Sequence, residues 1–441
     1  MPEIDTGNTA WVLVCAALVL LMTPGLALFY GGMVRGKSVL NMMMMSFGAL
    51  GLISVLWVLF GFSLAFGDSI GGVVGNPFDF WGMKDLMGPR AVVSEAYPIP
   101  SLSFVAFQAV FAIITVALIS GAIADRARFG AWLVFAGVWA TIVYFPVAHW
   151  VFAFDGVMSD TGGWIANDLK AIDFAGGTAV HINAGAAGLA LAIVLGKRIG
   201  FAKEPMRPHN LTLVMIGAGL LWFGWFGFNA GSELAADLTA AGVWVNTMVA
   251  TGAAMLAWLA TEKIRDGHAT SLGAASGVVA GLVAITPACS SVSAVGAIIV
   301  GMVAGAVCAL AVGLKYKLGF DDSLDVVGVH LVGGWVGTLM VGLLATAAAP
   351  FNYGNLGLFY GGGFSQLGRQ FVAAAVVTVF SFVAAYIIGT IINKTMGFRC
   401  SEEEEITGVD LTTHAESAYE LGSFTGAGYT SGASRKERVD A

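Results

Sequence analysis

Charge is scarce in this sequence. Of its 441 residues only 11% are Asp, Glu, Lys or Arg, whereas a soluble domain carries about 25%. So few charges exclude an ordinary water-exposed surface, and with 57% hydrophobic residues the chain reads as an integral membrane protein. Cysteine is equally sparse. Cys15, Cys289, Cys308 and Cys400 are scattered without a C-x-x-C spacing, which argues against a disulfide framework or metal cage and for small core residues. No H-E-x-x-H or G-x-S-x-G occurs, so nothing marks an enzyme, and no cofactor is implied. The net charge of -7 sits largely in the tail and loops and points to no nucleic-acid partner. No Lys or Arg precedes the first apolar run, and that run is too long for a secretory leader, so the first span is expected to be retained.

What the chain has in abundance is apolar runs about 20 residues long, the length of helix that crosses about 30 Å of hydrocarbon. Eleven are expected, at 9–33, 40–67, 101–122, 130–154, 174–195, 211–232, 240–261, 271–288, 293–314, 325–348 and 370–393. Lipid offers exposed backbone amides no partner, so the expected fold class is all-α. Of the 21 basic residues, Lys84, Arg90, Lys170 and Arg369 fall on one side, and the rest, including Arg435, Lys436 and Arg438, on the other. The positive-inside bias then puts the N-terminus outside and the tail inside. Residues 1–393 form the membrane domain and 394–441 a partly ordered cytoplasmic tail.

Three motif matches are set aside. "GGMVRGKS" satisfies the phosphate-loop pattern, but it lies between two membrane spans rather than between a strand and a helix. Asn210 and Asn393 begin N-x-T sequons on the cytoplasmic side, where glycosylation does not occur. The run Met42 to Met45 reads as packing filler.

Two of six histidines lie inside spans in matched settings. "DFAGGTAVHINAGAAG" carries His181 and "DVVGVHLVGGWVG" carries His330, both reading H-x-x-x-G-x-x-G with an aspartate upstream, Asp173 and Asp325. Five spans separate them, an odd step that reverses direction, so the pattern predicts a five-plus-five inverted repeat with the site at the interface of the halves. Counted from Asp325, His330 is nearer its helix start than His181 is from Asp173, so the two need not lie at equal depth. The glycines permit close helix approach. Either imidazole alone could be interhelical glue; a matched pair points to a pathway.

"PGLALFYGGMVRGKSVL", "DFAGGTAVHINAG", "WFGFNAGS", "ITPACS", "DDSLDVVGVH" and "GVDLTTHAESAY", in this order, resemble the ammonium transporter, methylammonium permease and Rhesus protein family, its bacterial branch in particular. The resemblance covers nearly all of residues 9–420. It implies a homotrimer of eleven-helix protomers in the lipid of the bacterial inner membrane, each with a pore for ammonium or ammonia, and with methylammonium as analogue. It implies that Phe111 and Phe228 form a stacked phenyl gate with Phe107 one turn earlier, and that His181 and His330 line the pore beside Trp225. Phe111, Phe152, Ser232 and Asp173 are then the substrate-binding residues of the outer mouth. Many bacterial members carry Trp where Phe152 stands, and Phe is the weaker cation partner. A PII-type signalling protein is implied as partner of the cytoplasmic face.

Chemistry, not size, must then discriminate, since ammonium and potassium are nearly equal in radius. Ammonium can shed a proton and cross an apolar lumen as ammonia; potassium cannot. Two alternatives stay open, an ammonium sensor signalling through the tail and an electroneutral gas channel of the Rhesus kind.

Overall fold

The computed structural model describes residues 3–88 and 91–419; Arg90 and the tail from 420, with Arg435, Lys436 and Arg438, lie outside the described residues. Ten described helices are long and apolar enough to cross a membrane. They are α1 (Thr6–Met33), α2 (Val39–Phe66), α3 (Ser101–Ile123), α4 (Phe129–Phe152), α5 (Gly177–Leu195), α6 (Leu211–Glu233), α7 (Leu238–Asp266), α9 (Ala294–Leu318), α10 (Val327–Leu344) and α11 (Ser365–Thr395). The run expected at 271–288 is a shorter apolar helix, α8 (Ser271–Ile285). At 1.5 Å per residue it reaches only about 22 Å. Pro287 explains the early stop: it has no amide proton to continue the ladder, and residues 286–290 form turns instead.

Helix starts are written in capping residues. The side chains of Asp5, Asn210, Asp237, Thr270 and Ser293 each accept the amide proton three residues on, satisfying a donor the helix cannot. The described residues are not wholly helical. A two-stranded hairpin, β1 (Ser69–Ile70) and β2 (Val74–Gly75), sits in the loop after α2, turning through Gly71 and Gly72 at positive φ.

Large apolar side chains are exposed along the middle of several helices as well as at helix ends. Phe47 and Val55 of α2, Ile142 of α4, Leu256 of α7 and Val379 and Ile387 of α11 all face outward. Such positions suit acyl chains, not water. The interior is apolar and tightly filled, and all four cysteines are free and buried in it. α1 packs along α6, α7 along α9, and α5 along α11.

The first part of the tail folds back on the bundle. α12 (Glu402–Thr407) starts with a capping box at Ser401 and Glu404, and Asp410 accepts the amide protons of Leu40 and Asn41 at the start of α2. Thus the bundle has two distinguishable ends, an N-terminal face near Thr6 and a tail face near Val39.

Candidate functional site

α5 begins at a buried carboxylate. Asp173 accepts the amide protons of Gly176, Gly177, Thr178 and Ala179 and the Thr178 hydroxyl proton, concentrating negative charge at the helix start. The chain enters this cap through Gly176 at φ +118°, where a Cβ would fall 2.6 Å from Val180 Cγ2. α10 repeats the device, with Asp322 accepting from Val326 and Val327. The pairing of Asp173 with Asp325 is therefore corrected. Asp325 holds Lys315 Nζ at 2.6 Å, and Asp322 is the counterpart of Asp173. Each cap stands eight residues before its histidine, so the inequality of depth counted from Asp325 disappears.

Both histidines ride on π-helical turns, Gly177–Ile182 and Val327–Leu331, which insert an extra residue into the helical repeat. The glycine four residues after each histidine meets the residue next to the other. A Cβ on Gly185 would lie 2.4 Å from the Leu331 nitrogen, and one on Gly334 would lie 2.9 Å from Ile182 Cγ1. Only glycine allows that approach.

The rings consequently meet. Nδ1 of His330 is 3.3 Å from Nδ1 of His181, and the ring planes are inclined by only 20°. Trp225 stacks on His181 with centroids 5.3 Å apart, its indole N–H donating to Thr286 Oγ1 at 2.8 Å. The imidazoles border a narrow, almost wholly apolar cavity of about 10 Å³ with Leu26, Ile114, Leu221, Trp225 and Phe228. The Nε2 of His181 is buried and has no hydrogen-bond partner.

Phe228 borders this cavity on its side toward the N-terminal face. Its ring stacks on Phe111 at 4.1 Å with an interplanar angle of 19°. Phe107 packs against Phe111 at 4.9 Å but lies beside the stack, not on the cavity beyond it. That cavity, about 380 Å³, is lined by Phe111, Phe152, Asp173, Ser232, Glu233 and Tyr353 among others. Ser232 donates its proton to the Phe228 carbonyl at 2.9 Å, which leaves the hydroxyl lone pairs free to accept. Phe152 meets Phe111 edge-on at 6.4 Å. Trp150 does not substitute for it: its indole donates to the Val73 carbonyl and packs against Trp164 and Phe380.

The model of the Ammonium Transporter Family matches residues 10–419. The chain belongs to that family. An ammonium transporter of Mycobacterium tuberculosis is 62% identical over 438 residues, covering 96% of this chain and 92% of the relative. One from Corynebacterium glutamicum is 46% identical over 422 residues, covering 95% and 91%. Among solved structures, Mep2 of Saccharomyces cerevisiae aligns with a TM-score of 0.83 at 33% identity, covering 91% of this chain and 89% of its own. A Sensor Amt Protein aligns at 0.84 and 29% identity, covering 92% and 98%.

At the tail face of this ammonium-transporter family member lies a buried ionic chain. Arg198 grips Asp321 through Nε and Nη2 and reaches Asp125; Arg35 joins Asp125 to Glu405, which also holds Arg399. Arg126, fully buried, donates to the carbonyls of Ala122, Ala124 and Asp321 and to Ser323. Burial lowers its guanidinium to about 10, still charged at neutral pH. The tail is thereby linked to the residue next to Asp322, the cap of the His330 helix.

Of the expected site residues, His181, His330, Trp225, Phe228 and Phe111 form one continuous stack, and Phe152, Ser232 and Asp173 line the cavity beyond it. Sequence reasoning missed Asp322, Thr286, Glu233 and Tyr353. The eight-residue spacing to His330 carried a signal for Asp322, and adjacency to Ser232 one for Glu233. Tyr353 lies in a loop with no pattern to announce it.

Proposed function

We propose that this protein is an ammonium transporter of the bacterial cytoplasmic membrane. The observation that carries this reading is the imidazole pair beside a small, almost wholly apolar cavity, with His181 Nε2 buried and unpartnered. A buried polar atom left unpaired costs about 1–3 kcal/mol, a cost relieved when a small hydrogen-bonding solute occupies the passage.

The cation is held first at the N-terminal face, by the rings of Phe111 and Phe152 and the free lone pairs of Ser232. It passes the Phe111–Phe228 stack and gives up its proton before the narrow segment. Ammonia is a base not far below a lysine amine in strength, so almost all of it is ammonium near pH 7. Carrying that charge through the membrane centre costs between about 2.5 and 17 kcal/mol, a barrier that neutral ammonia avoids. His181 and His330 then offer hydrogen-bond partners to ammonia and a relay for the proton. Potassium has no neutral form and stops before the narrow apolar segment.

The same reading takes α8 as an eleventh span, the halves as an inverted repeat, the N-terminal face as extracytoplasmic and the protein as a homotrimer embedded in lipid. Residues 1–393 are the conducting domain. Residues 394–441 are a cytoplasmic regulatory tail, with a PII-type signalling protein as its partner. The matched caps, π turns and glycine contacts of α5 and α10 support the repeat.

The test is ammonium-evoked current and methylammonium uptake in proteoliposomes, for wild type, His181→Ala and His330→Ala. Loss of flux, or admission of potassium, is expected in the variants; unchanged flux and selectivity in both would end the proposal. A second reading, an ammonium sensor, is favoured by the likeness to the Sensor Amt Protein and by the docked tail. Full wild-type binding of ammonium without any flux would select it.

A further inference from the structure

Two carboxylates border the cavity at the N-terminal face, Asp173 and Glu233. They are not equivalent. Asp173 is committed to four amides and a hydroxyl of its own helix start, so its charge is met from within. Glu233 is the last residue of the 3-10 turn that ends α6, directly after Ser232. None of the ion pairs among the described residues uses it, and neither Lys nor Arg lines this cavity. Lys170 borders only an adjoining hollow, in company with Asp155.

The backbone holds Glu233 in place at some cost. Leu234 follows at φ +60°, a left-handed conformation that costs a bulky residue on the order of 1 kcal/mol or more, and its amide donates to the Gly231 carbonyl. Leu234 is itself buried against the cavity. The turn thus presents Ser232 and Glu233 to the same space as Phe111, Phe152, Phe351 and Tyr353, the last two meeting edge-on at 4.6 Å. Aromatic walls with one unpaired carboxylate are the surroundings that small alkylammonium ions prefer. The space exceeds what ammonium needs, while the rings of Phe111 and Phe228, stacked at 4.1 Å, leave no gap for a cation as bulky as tetramethylammonium to follow.

We propose that Glu233 supplies the formal negative charge of an aromatic cage for ammonium and methylated ammonium ions at this mouth, compensating by charge for the weaker cation-π face that Phe152 presents in place of an indole. For ammonium as ligand the inference rests on the transporter reading, but occupancy of the cage is measurable without transport. A cation too large to pass the phenyl stack, such as tetramethylammonium, binds here and blocks.

The experiment compares, at pH 8 so that the Glu233 carboxylate is ionised, purified full-length wild type, E233Q, E233D, F152W and E233Q/F152W. Tetramethylammonium binding is read by isothermal titration calorimetry and ammonium KM and maximal current in proteoliposomes. E233Q is expected to weaken tetramethylammonium binding and raise KM by roughly three- to tenfold, with maximal current within about twofold. E233D, which keeps the charge, retains most of the affinity, and F152W recovers part of what E233Q loses. Raising ionic strength weakens wild type more than E233Q. Equal affinity and KM in wild type and E233Q, or no binding of tetramethylammonium by wild type, overturns the cage. A wild type without ammonium current but with Glu233-dependent tetramethylammonium binding overturns the transporter reading and leaves the cage standing.

Discussion

Nδ1 of His181 and Nδ1 of His330 face each other at 3.3 Å inside a passage that has almost no other polar atoms. At that separation one nitrogen donates and the other accepts, so the two rings share one proton between them and adopt complementary tautomers.

Removing one ring strands the other. His181→Ala and His330→Ala are each expected to lose about 1–3 kcal/mol of stability, because the surviving Nδ1 is left buried and unpaired. The double variant should lose less than the sum of the two, as neither polar group then remains. Thermal unfolding of the four proteins in detergent, analysed as a double-mutant cycle, checks this.

Helix caps at the two faces should behave as a matched pair. Asp173→Ala and Asp322→Ala each leave helix-start amides without an acceptor, and a loss of about 0.5–2 kcal/mol apiece is expected from N-cap deletions elsewhere. Asp325→Ala should cost less, since Lys315 keeps the Asp322 carbonyl as partner. Thermal midpoints of the three variants give the comparison.

Glycine at the crossing is a steric requirement, not a propensity. Gly185→Ala would bring its Cβ to 2.4 Å from the Leu331 nitrogen, and about 1–3 kcal/mol of overpacking cost is expected, with flux impaired. Gly219→Ala on α6 is the control, with nothing within 4 Å of the new methyl. It should be neutral or slightly stabilising.

The ionic chain at the tail face gives a pH dependence with a definite sign. Burial alone would raise the Asp321 carboxyl, but the hydrogen bonds from Arg198 and the charges of Arg126 and Arg198 outweigh it and hold the group below its ordinary 3.8. The folded value lies below the unfolded one, so the stabilisation is complete above about pH 3.8 and is lost as pH falls through the lower, folded value. Neighbouring Asp322 acts oppositely. Burial, with Asp325 adding to it, raises it to about 6, so the folded protein keeps a proton that the unfolded chain releases, and this contribution grows as pH falls from 6 toward 3.8. Taking the difference between wild type and Asp321→Asn isolates the first effect. It should be about 3–5 kcal/mol near neutrality, as expected when a buried pair loses one partner, and shrink only in strong acid.

Much of the bundle was legible because lipid imposes one rule along the whole chain. Apolar length marked the helices but not their ends: α8 stops before Pro287, and residues 345–348 lie beyond Leu344, the end of α10. At the site, the histidine pair and the phenyl stack followed from repeated or resembling motifs. Sequence pairs Asp173 with Asp325, whereas the cap is set by which carboxylate reaches the first amides of the helix, and that is Asp322. Thr286, Tyr353 and the ionic partners of Glu405 are joined to their neighbours only by tertiary packing. No local pattern encodes such contacts.

The crossing of α5 and α10 has a genetic consequence. Because Gly185 abuts the neighbour of His330, and Gly334 the neighbour of His181, bulk added on one of these two helices is expected to displace the imidazole of the other. Second-site revertants of a lesion at residue 185 are therefore expected around residues 327–331, and those of a lesion at 334 around 177–182, so the two helices should evolve as one sterically coupled unit.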